Sequence, residues 1–257
     1  MTPQFVDFNG DGITDIFTAT FDGSPWVSLG SKEGFGKPEH VKDKEGARIL
    51  LAQYWDYDAK KWTSVDHTGG AAPKAHCISA VACDWDADGD LDILLGDRDG
   101  YLYLNLNEGS AKEAKYSTTS SRLKAGEKDL YAGGKITNPV LTDWDKDGLT
   151  DIVVGTFEGK VLLFRNGGKK GEPKLEAPKT LLEKSTDAAN SPLPEEGWYV
   201  EVADLNGDGH LDLLVGGYTR FKEEADPNVK RIFQDRSPYL WQYLQKAEAT
   251  TTGGKNK

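Results

Sequence analysis

Four copies of one nine-residue phrase, acid-x-(acid or amide)-x-Asp-Gly-x-x-Asp, constrain this chain more than anything else in it. They run over 7–15, 84–92, 143–151 and 204–212. Positions one, three, five and nine carry Asp7, Asn9, Asp11 and Asp15 in the first, and Asp84, Asp86, Asp88 and Asp92 in the second. The third carries Asp143, Asp145, Asp147 and Asp151, and the fourth Asp204, Asn206, Asp208 and Asp212. A coiled loop with an oxygen at every second residue can surround Ca²⁺, which takes six to eight oxygens at about 2.3–2.6 Å in loose geometry. Gly at position six permits the backbone reversal, and the position-seven carbonyls of Ile13, Asp90, Leu149 and His210 are expected to complete the shell. Mg²⁺ prefers rigid octahedral sites and transition metals favour His or Cys, so calcium, up to four ions, is the expected ligand. Asp, Asn and Gly also populate ordinary turns, so one copy would be ambiguous. Four copies sharing both the Gly and the ninth-position Asp favour the metal.

The residues after each loop decide the architecture. An EF-hand would place Glu at position twelve and continue as a helix, but that position is Thr18, Leu95, Val154 or Val215, inside the short apolar runs 16–19, 93–96, 152–155 and 213–216. Such runs read as buried strands. Asp22-Gly23, Asp99-Gly100 and Glu158-Gly159 are hairpin turns leading to strands at 26–29, 101–104 and 161–164. The fourth unit places a long polar stretch between Gly217 and a strand at 239–243. Upstream strands are expected at 79–83 and 199–203, and a weaker outer strand beyond each hairpin. The loops start 77, 59 and 61 residues apart, a repeat with three or four strands per unit that suits an all-β propeller of antiparallel blades. The count is four blades, each with a calcium loop. It becomes five if the hairpin of 49–58 with 62–65 is the relic of another, and the whole could also be an arc of a larger ring.

On these loops, the strand after each and the glycines Gly96, Gly155 and Gly216, residues 3–245 resemble the FG-GAP and VCBS-type repeats of calcium-binding β-propellers, as in integrin α-subunit heads and many bacterial surface proteins. The resemblance implies that the loop Asp and Asn side chains bind calcium between the first two strands of a blade. The Gly-Ala-Pro of the family name is replaced by Gly96-Asp97-Arg98, Gly155-Thr156-Phe157 and Gly216-Gly217-Tyr218.

The formal charge is −11 with pI near 4.9, but fourteen acidic side chains are expected metal ligands, so the acidity is mostly metal site. No basic stripe points to nucleic acid, and no apolar run is long enough to span a membrane. No secretory signal precedes the first repeat, which suits a mature or excised form of an extracellular, periplasmic or cell-surface protein. Cys77 and Cys83 lie on one expected strand, too far apart for a disulfide, and without a zinc-ligand spacing. Trp85 and Trp144, at loop position two, are expected to pack between blades. Two insertions are candidate recognition surfaces: Tyr54, Trp55, Tyr57 and Trp62 in the first, and Arg220, Phe221, Lys230, Arg231, Phe233 and Arg236 in the last. Residues 246–257 read as a polar disordered tail. The functional expectation is a non-enzymatic calcium-binding module that binds a protein partner, in adhesion or as a scaffold. The rivals are a lectin-like glycan binder and a calcium-dependent polysaccharide lyase or hydrolase. An enzyme needs a base beside a partner group, and His67 near Asp66 and Glu195 with Glu196 form no recognisable arrangement. Open strand edges would favour self-association.

Overall fold

The computed structural model describes residues 3–64, 76–133, 137–184, 196–221 and 235–244. It contains strands and no helix among these residues, arranged as a four-blade β-propeller of antiparallel sheets. Blade 1 runs from inner to outer strand as Gln4–Val6, Asp15–Ala19, Pro25–Ser28 and Glu39–His40. Blade 2 is Cys77–Cys83, Asp92–Asp97, Leu102–Asn105 and Ser121–Arg122, and blade 3 is Thr137–Thr142, Asp151–Thr156, Lys160–Phe164 and Lys179–Glu183. Blade 4 has three strands among the described residues, Glu196–Ala203, Asp212–Phe221 and Asp235–Tyr243.

Blades 2 and 3 are buried on both faces, which explains their unbroken apolar runs. Side chains alternate across a strand, so in blade 2 Ile93 and Leu95 enter the core shared with blade 1 while Leu94 enters the core shared with blade 3. Blade 3 repeats the device: Ile152 and Val154 face blade 2, and Val153 faces blade 4. Trp85 and Trp144 pack against the second and third of these cores, as expected from their loop position. The glycines ending the apolar runs of blades 2 and 3 have a steric reason. A Cβ on Gly155 would sit 2.5 Å from the Trp198 carbonyl oxygen, and one on Gly96 would sit 2.7 Å from that of Thr137, both on the next blade's inner strand. Side chains also bridge blades at the axis. The Gln4 amide both accepts from and donates to the Ala82 backbone (2.8 and 2.9 Å), and Ser79 Oγ donates to the Thr137 carbonyl. Inner strands of all four blades line one central cavity of about 520 Å³, with Gln4, Val81, Val140 and Glu201 on its wall.

Several expected boundaries shift. The 49–58 segment is not one strand: Ile49, Leu51 and Ala52 are buried, Ile49 and Leu51 in the core between blades 1 and 2, and the hairpin is the shorter pair Gln53–Asp56 and Lys61–Ser64. It is a two-stranded satellite. The Trp55 N–H donates to the Asp22 carbonyl at 2.7 Å, which docks it on the turn of blade 1. In blade 4 the second strand does not stop at Gly217 but continues to Phe221, paired with Asp235. Long-range pairing, absent from any local signal, carries it those extra residues. The weaker outer strands appear in blades 1, 2 and 3. Cys77 and Cys83 share one strand as free thiols, and burial pushes both thiols up. The tail 246–257, with His67, Asp66, Glu195, Lys230, Arg231 and Phe233, lies outside the described residues. No helix among the described residues is long and apolar enough to cross a membrane.

Candidate metal centres

All four loops sit in one register. The ninth-position Asp starts the second strand and faces the last residue of the inner strand, as Asp15–Val6, Asp92–Cys83, Asp151–Thr142 and Asp212–Ala203. Positions four and six both adopt left-handed backbone. Position six is glycine throughout, with φ of 87°, 97°, 87° and 85° at Gly12, Gly89, Gly148 and Gly209. Position four is Gly10 and Gly207 in two loops (φ 69° and 76°), but Ala87 and Lys146 in the others (φ 60° and 61°), where a side chain costs about 1 kcal/mol or more. The loop geometry is therefore imposed even where the local residue disfavours it.

Hydrogen bonds coil the loops inward. The position-seven N–H of Ile13, Asp90, Leu149 and His210 donates to the position-five carboxylate in each loop, at 2.8, 3.0, 2.9 and 2.8 Å. In the first, third and fourth loops the position-one carboxylate accepts the N–H groups of positions five and six, as Asp7 does from Asp11 and Gly12. Asn9 and Asn206 accept the N–H of Asp11 and Asp208 and donate back to those carboxylates. In the second loop Asp84, Asp86 and Asp88 instead gather with ligand atoms within 4.8 Å of one another; in the third, Asp143, Asp145 and Asp151 do the same. The Arg165 guanidinium also touches the Asp145 carboxylate, so the third loop holds a cation of its own.

The ninth-position Asp has a second role that spacing alone did not reveal. It is buried, and its carboxylate clamps two distant backbone segments. Asp92 accepts from Trp85 N (3.0 Å) and Asn107 N (2.8 Å), Asp151 from Trp144 N (3.0 Å) and Asn166 N (2.7 Å), and Asp15 from Phe8 N (2.8 Å) and Gly30 N (2.7 Å). Asp212 accepts from Leu205 N. Asn107 and Asn166 are thus partners of the loops that the sequence reading missed. The signal was available: each lies fifteen residues beyond the ninth-position Asp and opens an Asn-x-Gly segment with Lys at its eighth residue on, Asn107-x-Gly109 to Lys115 and Asn166-x-Gly168 to Lys174.

The residues fit a divalent cation, and the second loop fits best. Asp90 is only 4% exposed and its Oδ1 has no hydrogen-bond partner. Burial, then the neighbouring carboxylates of Asp88, Asp86 and Asp84, pushes Asp90 up to about 6. Burial pushes Asp92 up to about 6 as well, against the pull of its two N–H donors. Five carboxylates crowded at one turn repel one another unless a cation joins them, and a carboxylate oxygen that accepts an N–H keeps a lone pair for metal.

A family model for the FG-GAP-like repeat matches the chain three times, over residues 7–95, 84–154 and 143–215. Each match begins at one acidic loop and ends in the apolar strand after the next, so the matched unit is a loop-to-loop step around the propeller. The chain belongs to the family of FG-GAP-like repeat proteins.

Proposed function

We propose that this chain is a non-enzymatic, calcium-stabilised propeller that works outside the cytoplasm as a binding scaffold for a protein partner. The observation that carries the reading is the second loop, where Asp84, Asp86 and Asp88 converge and the buried Asp90 Oδ1 is unpartnered. Calcium supplies there the positive charge that offsets their repulsion. The chain's own residues hold the shape, with Gly89 and Ala87 turning the loop and Asp92 clamping it to Trp85 and Asn107. The third loop, partly neutralised by Arg165, is the weaker site.

Sites of about 10⁻⁴ M, ordinary for extracellular modules, would each contribute about 1.8 kcal/mol at roughly 2 mM calcium, and four about 7 kcal/mol. At the sub-micromolar free calcium of a cytoplasm that contribution vanishes, which is why the reading places the protein outside it. Melting in EDTA and in millimolar calcium tests this: a shift of tens of degrees is expected, and one of less than a few degrees leaves the loops as turns. Asp88→Ala should remove one site from a calorimetric calcium titration.

A glycan-binding reading is favoured by one specific observation. Phe21 and Trp62, 57% and 40% exposed, flank the His76 ring at centroid distances of 5.0 and 4.5 Å, an aromatic group of the kind that stacks on sugars. A glycan array screened with wild type and Trp62→Ala separates the two readings.

A further inference from the structure

Two of the four acidic loops carry an amide at position three where the others carry an acid, and in both the amide is followed by glycine: Asn9-Gly10 in the first loop and Asn206-Gly207 in the fourth. The second and third loops have Asp86-Ala87 and Asp145-Lys146 there. In an Asn-Gly pair the backbone nitrogen of the glycine can close a five-membered ring on the asparagine side-chain carbonyl, and glycine has no Cβ to obstruct the closure. The chain contains one further such pair, Asn166-Gly167.

The fold ranks the three. Asn166 is buried, and its Oδ1 accepts the N–H groups of Gly168 and Lys174 (3.1 and 2.9 Å), so its side-chain carbonyl is fixed away from the Gly167 nitrogen's reach by two bonds. Asn9 lies in a loop pinned from outside. The turn that leaves the third strand of blade 2, Asn107 to Tyr116, lays Ala111 on Gly10, where an added Cβ would come within 3.1 Å of the Ala111 Cβ. That contact holds the Asn9-Gly10 peptide against rotation. Asn206 is exposed, and the fourth loop brings the reacting groups together. Asn206 Oδ1 accepts the Asp208 N–H at 2.8 Å and Nδ2 donates to Asp208 Oδ2 at 3.0 Å, which folds the side chain forward along the Gly207 peptide. Asn9 makes the same two bonds to Asp11, so these alone do not separate the loops. The carboxylate at position one does. Asp7 accepts the N–H groups of Asp11 and Gly12; Asp204 accepts those of their counterparts Asp208 and Gly209 and also that of Gly207, at 2.7 Å. The Gly207 N–H proton is the one that must leave for its nitrogen to attack, and a carboxylate within hydrogen-bond reach of it meets the geometric requirement for a general base.

We propose that Asn206 is a self-modification site. The Gly207 nitrogen attacks Asn206 Cγ as Asp204 takes its proton; the new Cγ–N bond closes a succinimide, the Cγ–Nδ2 bond breaks, and Nδ2 leaves as ammonia with the proton that Asp204 returns. Water then opens the ring. Opening at Cγ leaves aspartate at position 206, which gives the fourth loop the position-three acid that the second and third already have. Opening at the main-chain carbonyl carbon leaves isoaspartate, whose backbone runs through Cγ, so position five no longer converges with position one. With calcium bound, Asp204 and Asn206 Oδ1 serve as ligands, which withdraws the base and fixes the side chain. The fourth loop therefore keeps an irreversible record of the time it has spent empty. This control by calcium rests on the function proposed above; the chemistry at Asn206 does not.

The test incubates the whole chain at neutral pH in EDTA, below its melting temperature there, beside a sample in millimolar calcium. Peptide mapping by mass spectrometry follows amide-to-acid conversion at the three Asn-Gly pairs, and an isoaspartyl methyltransferase assay scores the isoaspartate. In EDTA, conversion at Asn206 is expected to run at least tenfold faster than at Asn9, with none at Asn166 over the same period, and calcium should slow it at least tenfold. Gly207→Ala should abolish conversion at position 206. Because Ala87 already holds left-handed backbone at this loop position (φ 60°), that variant should melt within a few degrees of wild type. Asp204→Ala removes the base, keeps the Asn-Gly pair and should slow conversion at least tenfold. A faster rate in that variant would show that the fold protects Asn206 instead of promoting its reaction, and overturns the proposal. So do equal rates at Asn206 and Asn9, or conversion at Asn166 keeping pace, since the reaction would then follow from sequence alone or from unfolding. Equal rates at Asn206 in EDTA and calcium overturn the control by calcium where the melting temperature still responds to calcium; where it does not respond, the calcium reading itself has failed and the chemistry at Asn206 stands.

Discussion

The seam between blades 2 and 3 and the seam between blades 3 and 4 are made from the same repeat, yet among the described residues the first is filled at its rim and the second keeps a cavity. Both pass an inner strand over a glycine at closest approach, and both set a loop tryptophan, Trp85 or Trp144, against an apolar core. They differ at the periphery. Leu175 closes the first from the next blade's turn, whereas the second keeps a cavity of about 370 Å³ beside Trp144. Adjacency along the axis is thus a property of the repeat, and the filled rim between blades 2 and 3 is a property of the turn that carries Leu175.

The largest expected effect is at Leu175. Leu175→Ala should destabilise the protein by about 2–5 kcal/mol, the range for emptying a buried leucine site, while Leu182→Ala, on a half-buried wall of an existing cavity, should cost about 1 kcal/mol or less. Urea unfolding of the two variants checks this, and equal costs would break the comparison.

The next effect belongs to blade 2 alone. Burial pushes Asp97 up to about 6 although it accepts hydrogen bonds from Tyr101 N and the Tyr103 hydroxyl; blade 3 has Thr156 at the corresponding place. The folded state therefore holds this proton up to a higher pH than the unfolded state does. Stability should fall as pH rises from about 4 to about 6 and level off above, by up to roughly 3 kcal/mol for this group. Asp97→Asn should reduce that slope in EDTA, where calcium cannot contribute a slope of opposite sign by requiring ionised ligands, and should leave the part of like sign that Asp90 and Asp92 contribute. An unchanged slope would show that Asp97 is ionised at no cost in the fold.

At the axis the two seams should behave alike. Gly96→Ala and Gly155→Ala each drive a Cβ into backbone of the next inner strand and should each cost about 1–3 kcal/mol by thermal melting. Clearly unequal costs would place the asymmetry at the axis as well as the rim.

The smallest effect concerns loop position four. Ala87→Gly should stabilise by about 0.5–1 kcal/mol by relieving left-handed backbone. Lys146→Gly should gain less, because Lys146 Nζ donates to the Gly209 carbonyl between blades 3 and 4. A matched gain at both positions would show that this bridge contributes nothing.

Much of the fold was legible because the repeat writes it locally. Asp-x-Asp-x-Asp-Gly coils a loop through its own side-chain-to-backbone bonds, and an apolar run ended by glycine makes a strand that another strand can cross. The hairpin at 49–65 was misplaced because Ile49 and Leu51 look like strand residues in a window yet are drawn into the core of blades 1 and 2. The two left-handed positions at Ala87 and Lys146 were hidden since neither residue advertises that backbone. Asn107 and Asn166 went unread because their partners lie fifteen residues back, beyond any turn or strand period.

By itself the sequence determined the all-β repeat, the four acidic loops and the family, because those features rest on residues within about ten positions of one another. Only the tertiary structure decided that the ninth-position Asp is a clamp as well as a candidate ligand, that Asp90 buries an unpartnered oxygen, and that a cavity lies beside Trp144 between blades 3 and 4. Those outcomes depend on which distant segments come to lie together, and that is set by how whole blades pack against one another.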